Sequence, residues 1–387
     1  MDARDEARGL FDQLLAWRRD LHMHPELGLE ETRTAKLVAD TLRELGYAVQ
    51  EGVAHTGVVG LLENGPGPVV MNRVDMDALP IQEINDVPYI SQNPGVMHAC
   101  GHDAHVAIGL GVATVMARHR EAWRGALKVI FQPGEEGMNG AEIMVKEGVL
   151  ENPRPDAVLA THVWNWMPVG MVAATPGPVM AAAEAWRAEI KGRGGHAARP
   201  EDTIDPVVVA ALTVTALQTV VSRNVAALDT AVVSVGRLCS GDTFNVIPDT
   251  AELHGTIRTY KPEVRETVLR RVREIIEGAA QMMGAEATFE TYPLTPAVVN
   301  DETVTAVVQR VVTDLFGPDA LNNTMRTMGS EDAAFFLREI PGCYLFIGSG
   351  FKDREPPSHH NPRFDIDEQA LINGVAVLVE SLRRLMP

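Results

Sequence analysis

The chain has 387 residues, 45% hydrophobic and 22% charged, with a formal charge of −18, a length that exceeds one comfortable core and predicts two domains. The acidity excludes a nucleic-acid partner, because phosphates would be repelled over most of the surface. No apolar run approaches the roughly 18 to 20 residues that span a bilayer, and three scattered cysteines, Cys100, Cys239 and Cys343, build no disulfide framework.

The charged, amphipathic start carries no leader pattern, so a cytoplasmic, reduced protein with no membrane partner is expected. Helical periodicity covers Glu6–Leu21 and Thr32–Leu45, the second stopped by Gly46. Extended apolar runs follow at GVVGLLE, PVVMNRVD, LKVIFQ and AVLATHV, with the helical patterns AHVAIGLGVATVMARH and AEIMVKEGVL between the later ones. Such alternation predicts an α/β domain with a largely parallel central sheet flanked by helices. Pro176–Ala183 reads as a linker. Beyond it come strand AWRAEIKG, the loop GRGGHAARPEDTIDP, a helix over Pro206–Arg223, two strands, a helix over Pro262–Met283 and strand EATFETY, which together make a compact α+β unit. The α/β style resumes with helix Glu302–Leu315, strand CYLFIGSG and a closing helix Asp367–Leu385. The expected organisation is therefore a discontinuous domain, residues 1–180 and 293–387, interrupted by an inserted one at 181–292. The inserted VVVAALTVTALQTVV is apolar over more than one face, which means burial on its own sheet or, in addition, a subunit contact.

The chemistry-bearing residues sit at the ends of the predicted strands. MHACGHDAH (Met97–His105) places Cys100 two residues before His102, and an extended backbone would point both to one side. A soft thiolate beside an imidazole suits zinc and, with carboxylates, manganese, cobalt or iron. In FQPGEEG, Glu135 and Glu136 follow a Pro-Gly turn. Neighbouring residues there point apart, so one carboxylate can bind a cation while the other takes a proton from water. His162 ends the run AVLATHV, and His359 and His360 stand in PPSHHNPRFD before the last helix. Each piece alone reads as ordinary structure. Together, Cys100, His102, Glu136, His162 and one of His359 or His360 fall where ligands gather in open α/β sheets. Five donors exceed one closed tetrahedral site. They imply two divalent ions with a shared ligand and an open water position, which suits hydrolysis of an acyl bond.

HPE, DMDALPI, MHACGHDAH, FQPGEEG, THVW, GRGGHAARP, FNVIPD, MGSEDAAFF and SHHNPRFDI occur in the order seen in the dinuclear-metal amidohydrolases related to aminoacylase. The chain resembles most the branch of hippurate hydrolase, auxin-conjugate hydrolases and N-acetyldiaminopimelate deacetylase, from about residue 10 to the end. The resemblance implies a catalytic domain with an inserted lid or dimerisation domain, two divalent ions (zinc, manganese, cobalt or nickel), and a homodimer or higher homo-oligomer through the insertion. It implies Cys100, His102, Glu136, His162 and His360 as ligands, His360 because the family ligand precedes a residue and then proline. It makes Glu135 the general base that later protonates the departing amine. The family's histidine ligand is absent before Asp77, so Asp75 and Asp77 orient ligands rather than bind metal. It implies that His196 helps hold the oxyanion, often from the neighbouring subunit, the alternative being an exposed loop histidine. Asn245 and Arg258 are candidates for the substrate carboxylate, Arg258 equally suiting a structural ion pair, and Glu331 supports the site or the start of a helix. This chain has Asn165-Trp166 where relatives usually carry Pro-Gly; Trp164 and Trp166 are expected to flank the cleft beyond His162, either to receive an aryl or indolyl acyl group or to pack under the lid. The implied reaction cleaves the amide of N-acyl or N-aroyl amino acids. The alternatives are a dipeptidase or aminopeptidase-like metallopeptidase of the same machinery, a Cys100 nucleophile, and a metal-binding homologue without turnover.

Overall fold

In the computed structural model, which describes residues 2–387, the chain forms two compact units. The first runs up to Val179 and takes in Val298–Arg326 and Asp332–Pro387; the second is Met180–Ala297 with Thr327–Glu331. The second unit thus reaches beyond 181–292 and includes a short return segment.

The first unit opens with α1 (Ala3–Gly9) and α2 (Phe11–Met23). The single helix expected over Glu6–Leu21 is broken because Leu10, after the helix-weakening Gly9, leaves helical geometry at φ −102°, ψ 0°. In α3 (Thr32–Glu44) the residues Ala35, Val38, Ala39 and Leu42 turn inward, the three-and-four spacing of an amphipathic helix. The Glu26 carboxylate accepts from the N–H groups of Arg33 and Thr34 and satisfies the start of that helix. Next come β1 (Ala48–Val53), β2 (Gly57–Asn64), β3 (Val69–Asp75), α4 (His102–Arg118) and β4 (Gly125–Gln132). Helix α4 is buried along most of its length. Gly109 lets it lie against the sheet, since a Cβ there would stand 2.6 Å from Val74 Cγ2. The segment continues through α5 (Glu135–Met138), α6 (Gly140–Lys146), β5 (Ala157–Pro168), β6 (Val172–Ala173) and β7 (Gly177–Met180). The stretch read as a linker is therefore strand over much of its length.

The second unit comprises β8 (Ala182–Lys191), β9 (Gly195–His196), α7 (Pro206–Asn224), β10 (Ala231–Cys239), β11 (Val246–Ile247), β12 (Thr250–Thr259), α8 (Pro262–Met282) and β13 (Glu286–Thr295). Its sheet is antiparallel, ordered β10-β12-β8-β13. Trp186, Ala188 and Ile190 alternate inward from β8 and meet Val209, Leu217 and Val220 of α7 and Val268, Val272 and Ile276 of α8. Helix α7, at 19 residues, is long and apolar enough to cross a membrane by length and composition. That corrects the expectation that no such stretch exists, and its buried stripe is part of this core.

The chain returns to the first unit with β14 (Val298–Asn300), α9 (Glu302–Phe316), β15 (Leu321–Asn322), α10 (Ala334–Glu339), β16 (Gly342–Gly350) and α11 (Gln369–Leu385). Its main sheet is ordered β1-β2-β4-β3-β5-β16-β6-β15. The centre, β4-β3-β5-β16, is parallel, while β1, β2 and β6 pair antiparallel. Strands β4 and β16 are buried throughout, as expected where helices cover both faces. Because the central strands run one way, their carboxyl ends open along one edge, and the motif loops leave from there.

Candidate metal centre

Cys100 and His102 meet through a turn, not through the extended backbone expected. Gly101 between them is left-handed at φ 95°, and a Cβ there would lie 2.5 Å from Val163 Cγ2. The turn leaves Cys100 ahead of α4 and starts the helix at His102. After β4, Gly134 (φ 60°) reverses the chain and gives its N–H to the buried Glu31 carboxylate at 2.9 Å. Glu135 and Glu136 follow, both partly buried. Glu136 leaves helical geometry (φ −71°, ψ 69°), and its N–H donates to Asp77 Oδ2 at 2.8 Å. His162, buried within β5, donates from Nδ1 to the Val163 carbonyl at 2.6 Å, which leaves Nε2 to face Cys100 Sγ at 3.3 Å. The loop after β16 is tied down by the His360 N–H donating to the Ala99 carbonyl at 2.8 Å. His360 itself is held at φ 63°, a conformation rare outside glycine and concentrated at functional sites.

Cys100 is the hub. One donor atom each from Cys100, His102 and Glu136 lie within 4.8 Å of one another, and so do those of Cys100, His162 and His359. His360 Nε2 stands 3.1 Å from Glu136 Oε1. The buried His102 Nε2 has no hydrogen-bond partner among the described residues, although buried polar atoms are normally satisfied. A tetrahedral ion with bonds of about 2.0–2.3 Å needs donors roughly 3.3–3.8 Å apart, and the Cys100–His162 separation already falls in that range. Soft sulfur, imidazole and carboxylate donors gathered around Cys100, with a buried imidazole nitrogen left unbonded, fit transition-metal ions.

On protein charges alone, burial and the Glu136 carboxylate hold the Cys100 thiol above its ordinary pKa. Cys100 and Glu136 lift His360 to about 10. Burial and neighbouring imidazoles push His162 well down and His359 down to about 3. Burial opposes charging of His102, but Asp75 and Asp77 outweigh it and raise its pKa. A divalent cation reverses this order by favouring thiolate and neutral imidazole.

Asp77 accepts from His102 Nδ1 at 3.2 Å with one oxygen and from the Glu136 backbone with the other. Asp75 lies on β3 against His105 and Arg73. His359 differs from His360: its Nε2 accepts from the Asn165 N–H at 3.4 Å, so its proton sits on Nδ1, which faces Cys100 Sγ at 3.8 Å. In that tautomer His359 donates to sulfur. Its ring stacks on Trp164 at 4.9 Å, and Trp164 meets His162 edge-on at 5.8 Å. Trp166 lies 4.9 Å from Trp164 and is 54% exposed.

The other candidates stand in the second unit. His196 is exposed on the β9–β11 ribbon, its Nδ1 accepting from the Ala198 N–H. Asn245, also exposed, accepts from Thr243 through its side chain. Arg258 on β12 donates to Ser330 Oγ at 2.7 Å, and burial holds its pKa below the usual guanidinium range. Glu331 is buried. Sequence reasoning passed over His105 and Arg73. The signal for His105 was its place three residues after His102 on one helix, hence on one face; Arg73 carried none, being one charge inside an apolar strand.

The model of peptidase family M20/M25/M40 matches residues 71–384. An IAA-amino acid hydrolase (ILR1-like 4) of Arabidopsis thaliana is 39% identical over 95% of this chain and 84% of its own length. N-acetyl-L-cysteine deacetylase of Bacillus subtilis is 38% identical over 97% and 88%. Among solved structures, a dinuclear metal-binding peptidase of the M20 family from Bacillus subtilis superposes with a TM-score of 0.86 at 33% identity, covering 98% of this chain and 99% of that one.

Proposed function

This chain belongs to peptidase family M20/M25/M40, and from that premise we propose that Cys100, His102, Glu136, His162 and His360 hold two divalent ions with which Glu135 works. The protein is a metal-dependent amidohydrolase that cleaves N-acyl amino acids to a carboxylate and a free amino acid. The observation that carries the site assignment is the convergence of loops from several strand ends on Cys100, with His102 Nε2 buried and unbonded there and His360 Nε2 against Glu136 Oε1. The ions, when bound, supply Lewis acidity toward the amide carbonyl and lower the pKa of water.

The rest is the work of side chains. Glu135, next to Glu136 on the turn, accepts the proton of the attacking water and delivers it to the departing amine nitrogen. Asp77 holds His102 and the Glu136 backbone in place, and His359 donates to the Cys100 sulfur. Trp164 and Trp166 offer flat apolar faces beside His162, which favours an aryl or indolyl acyl group. His196 serves the oxyanion, Asn245 and Arg258 the substrate carboxylate, and Glu331 supports the site. Zinc, manganese, cobalt and nickel all suit the donor set. A homodimer through the second unit accounts for exposed Val207, Val208 and Leu212 on α7.

The test is to strip the protein, reload it with each ion, and assay N-acetyl, N-benzoyl and indolylacetyl amino acids alongside unblocked dipeptides. Turnover of N-acyl substrates is expected; turnover of dipeptides alone would favour the peptidase reading. Glu135→Ala should lose about 10²–10⁴-fold in kcat while metal content stays at wild type. No hydrolysis of any substrate with any ion would overturn the proposal.

A further inference from the structure

The β3–β5 ladder stops early. Residues Val70 to Arg73 pair with Ala157 to Ala160 and no further, although β3 runs on to Asp75 and β5 to Pro168. On its other side β5 keeps pairing with β16 through His162, Val163 and Trp164. The Val163 N–H is therefore without a strand partner on the β3 side, and it donates to His105 Nε2 at 2.8 Å. An imidazole from α4 takes the place of a main-chain acceptor.

His105 can accept there only if its proton is on Nδ1, and Asp75 Oδ1 receives that proton. The other Asp75 oxygen takes Arg73 Nη1 at 2.8 Å. Arg73, fully buried, also donates to Gln132 Oε1 at 2.7 Å and to Asp332 Oδ1 at 3.2 Å. Both peptides flanking Val163 are held, since its carbonyl, in the next peptide unit, receives His162 Nδ1. The His105 ring stands between two proposed ligand rings, 5.3 Å from His102 and 4.5 Å from His162. Asp75, His102 and His105 lie close enough to suggest a third ion site, but both His105 nitrogens and both Asp75 oxygens are already engaged.

We propose that Arg73, Asp75 and His105 form a buried positioning relay that sets His162 through the His162–Val163 peptide, and that none of the three binds an ion. The relay deepens the ligand assignment made above and rests on it. It works by fixing the His105 tautomer, which anchors the His162–Val163 peptide and with it the backbone from which the His162 ring projects, while the Val163 carbonyl keeps the proton on His162 Nδ1.

The test uses the metal-stripped full chain and Co(II). His105→Phe should weaken Co(II) binding by about 10–100-fold in chelator competition and alter the visible Co(II) spectrum. His105→Gln, whose amide can donate to Asp75 and accept from Val163, should recover most of the affinity and the spectrum. Leu14→Ala, a core truncation in the same unit, should lower Tm and leave both readouts alone. Should His105→Phe fail to fold, Arg73→Lys tests the relay one link back and should show a smaller loss of the same sign. Wild-type affinity and spectrum in His105→Phe, or in Arg73→Lys where that variant stands in, overturns the relay, as does a loss no greater than that of Leu14→Ala. Failure of the ligand assignment shows instead in the unmutated chain, which would bind no Co(II) through a thiolate; that result overturns both.

Discussion

Asp77 serves the His102 ring and the Glu136 backbone with two oxygens, and this makes its charge hard to replace. Asparagine keeps one acceptor but turns an N–H₂ toward whichever donor lost its oxygen, so His102 or the Glu136 backbone must let go. Asp77→Asn should weaken metal binding by about 10–100-fold, read by chelator competition, with little change in Tm of the stripped protein. A second residue-level prediction concerns His22, buried between Asp103 at 2.8 Å and Glu83 at 3.2 Å. Burial and the Arg18 charge oppose its protonation, but the two carboxylates outweigh them and its pKa is raised. A folded pKa above the unfolded value near 6.5 contributes stability that is complete below that value and is lost as pH rises through the folded one. The Tm gap between the stripped wild type and His22→Gln should therefore narrow with rising pH. A gap that widens would contradict the assignment.

Among the elements, the start of α4 does most to build the site. It depends on Gly101, whose left-handed turn separates Cys100 ahead of the helix from His102 inside it. Gly101→Ala places a methyl against Val163 and demands a backbone conformation that L-residues resist. Its expected cost is about 1–3 kcal/mol, seen as a lower Tm, with reduced metal content because His102 moves with the turn. The ends of β3, β4 and β5 supply the rest. Their parallel direction follows from the alternation of strand and helix, which is visible in the sequence. The point where β3 and β5 separate follows from side chains wedged between them, and no local pattern encodes it.

At the scale of the molecule, two hydrophobic cores serve different ends. None of the donors gathered around Cys100 belongs to the second unit, so damage to its core should spare the ions. Ile276→Ala removes a fully buried side chain there and should cost about 2–5 kcal/mol with unchanged Co(II) affinity. Chelation should have the opposite profile, lowering Tm because ions that bind only the folded state stabilise it, by about 4 kcal/mol when free ion exceeds Kd 1,000-fold.

What the sequence determined by itself was chemical inventory and period. Donor residues cluster in short motifs, and apolar spacing separates an α/β chain from its α+β insertion, since both properties are local. Tertiary structure decided which nitrogen of His359 carries a proton, that Cys100 is the common member of both donor groups, and that His105 and Arg73 meet on Asp75 beside them. Those outcomes depend on which groups meet across hundreds of residues, and in a buried site each shared proton is placed by its partner's charge and not by its own neighbours in the chain.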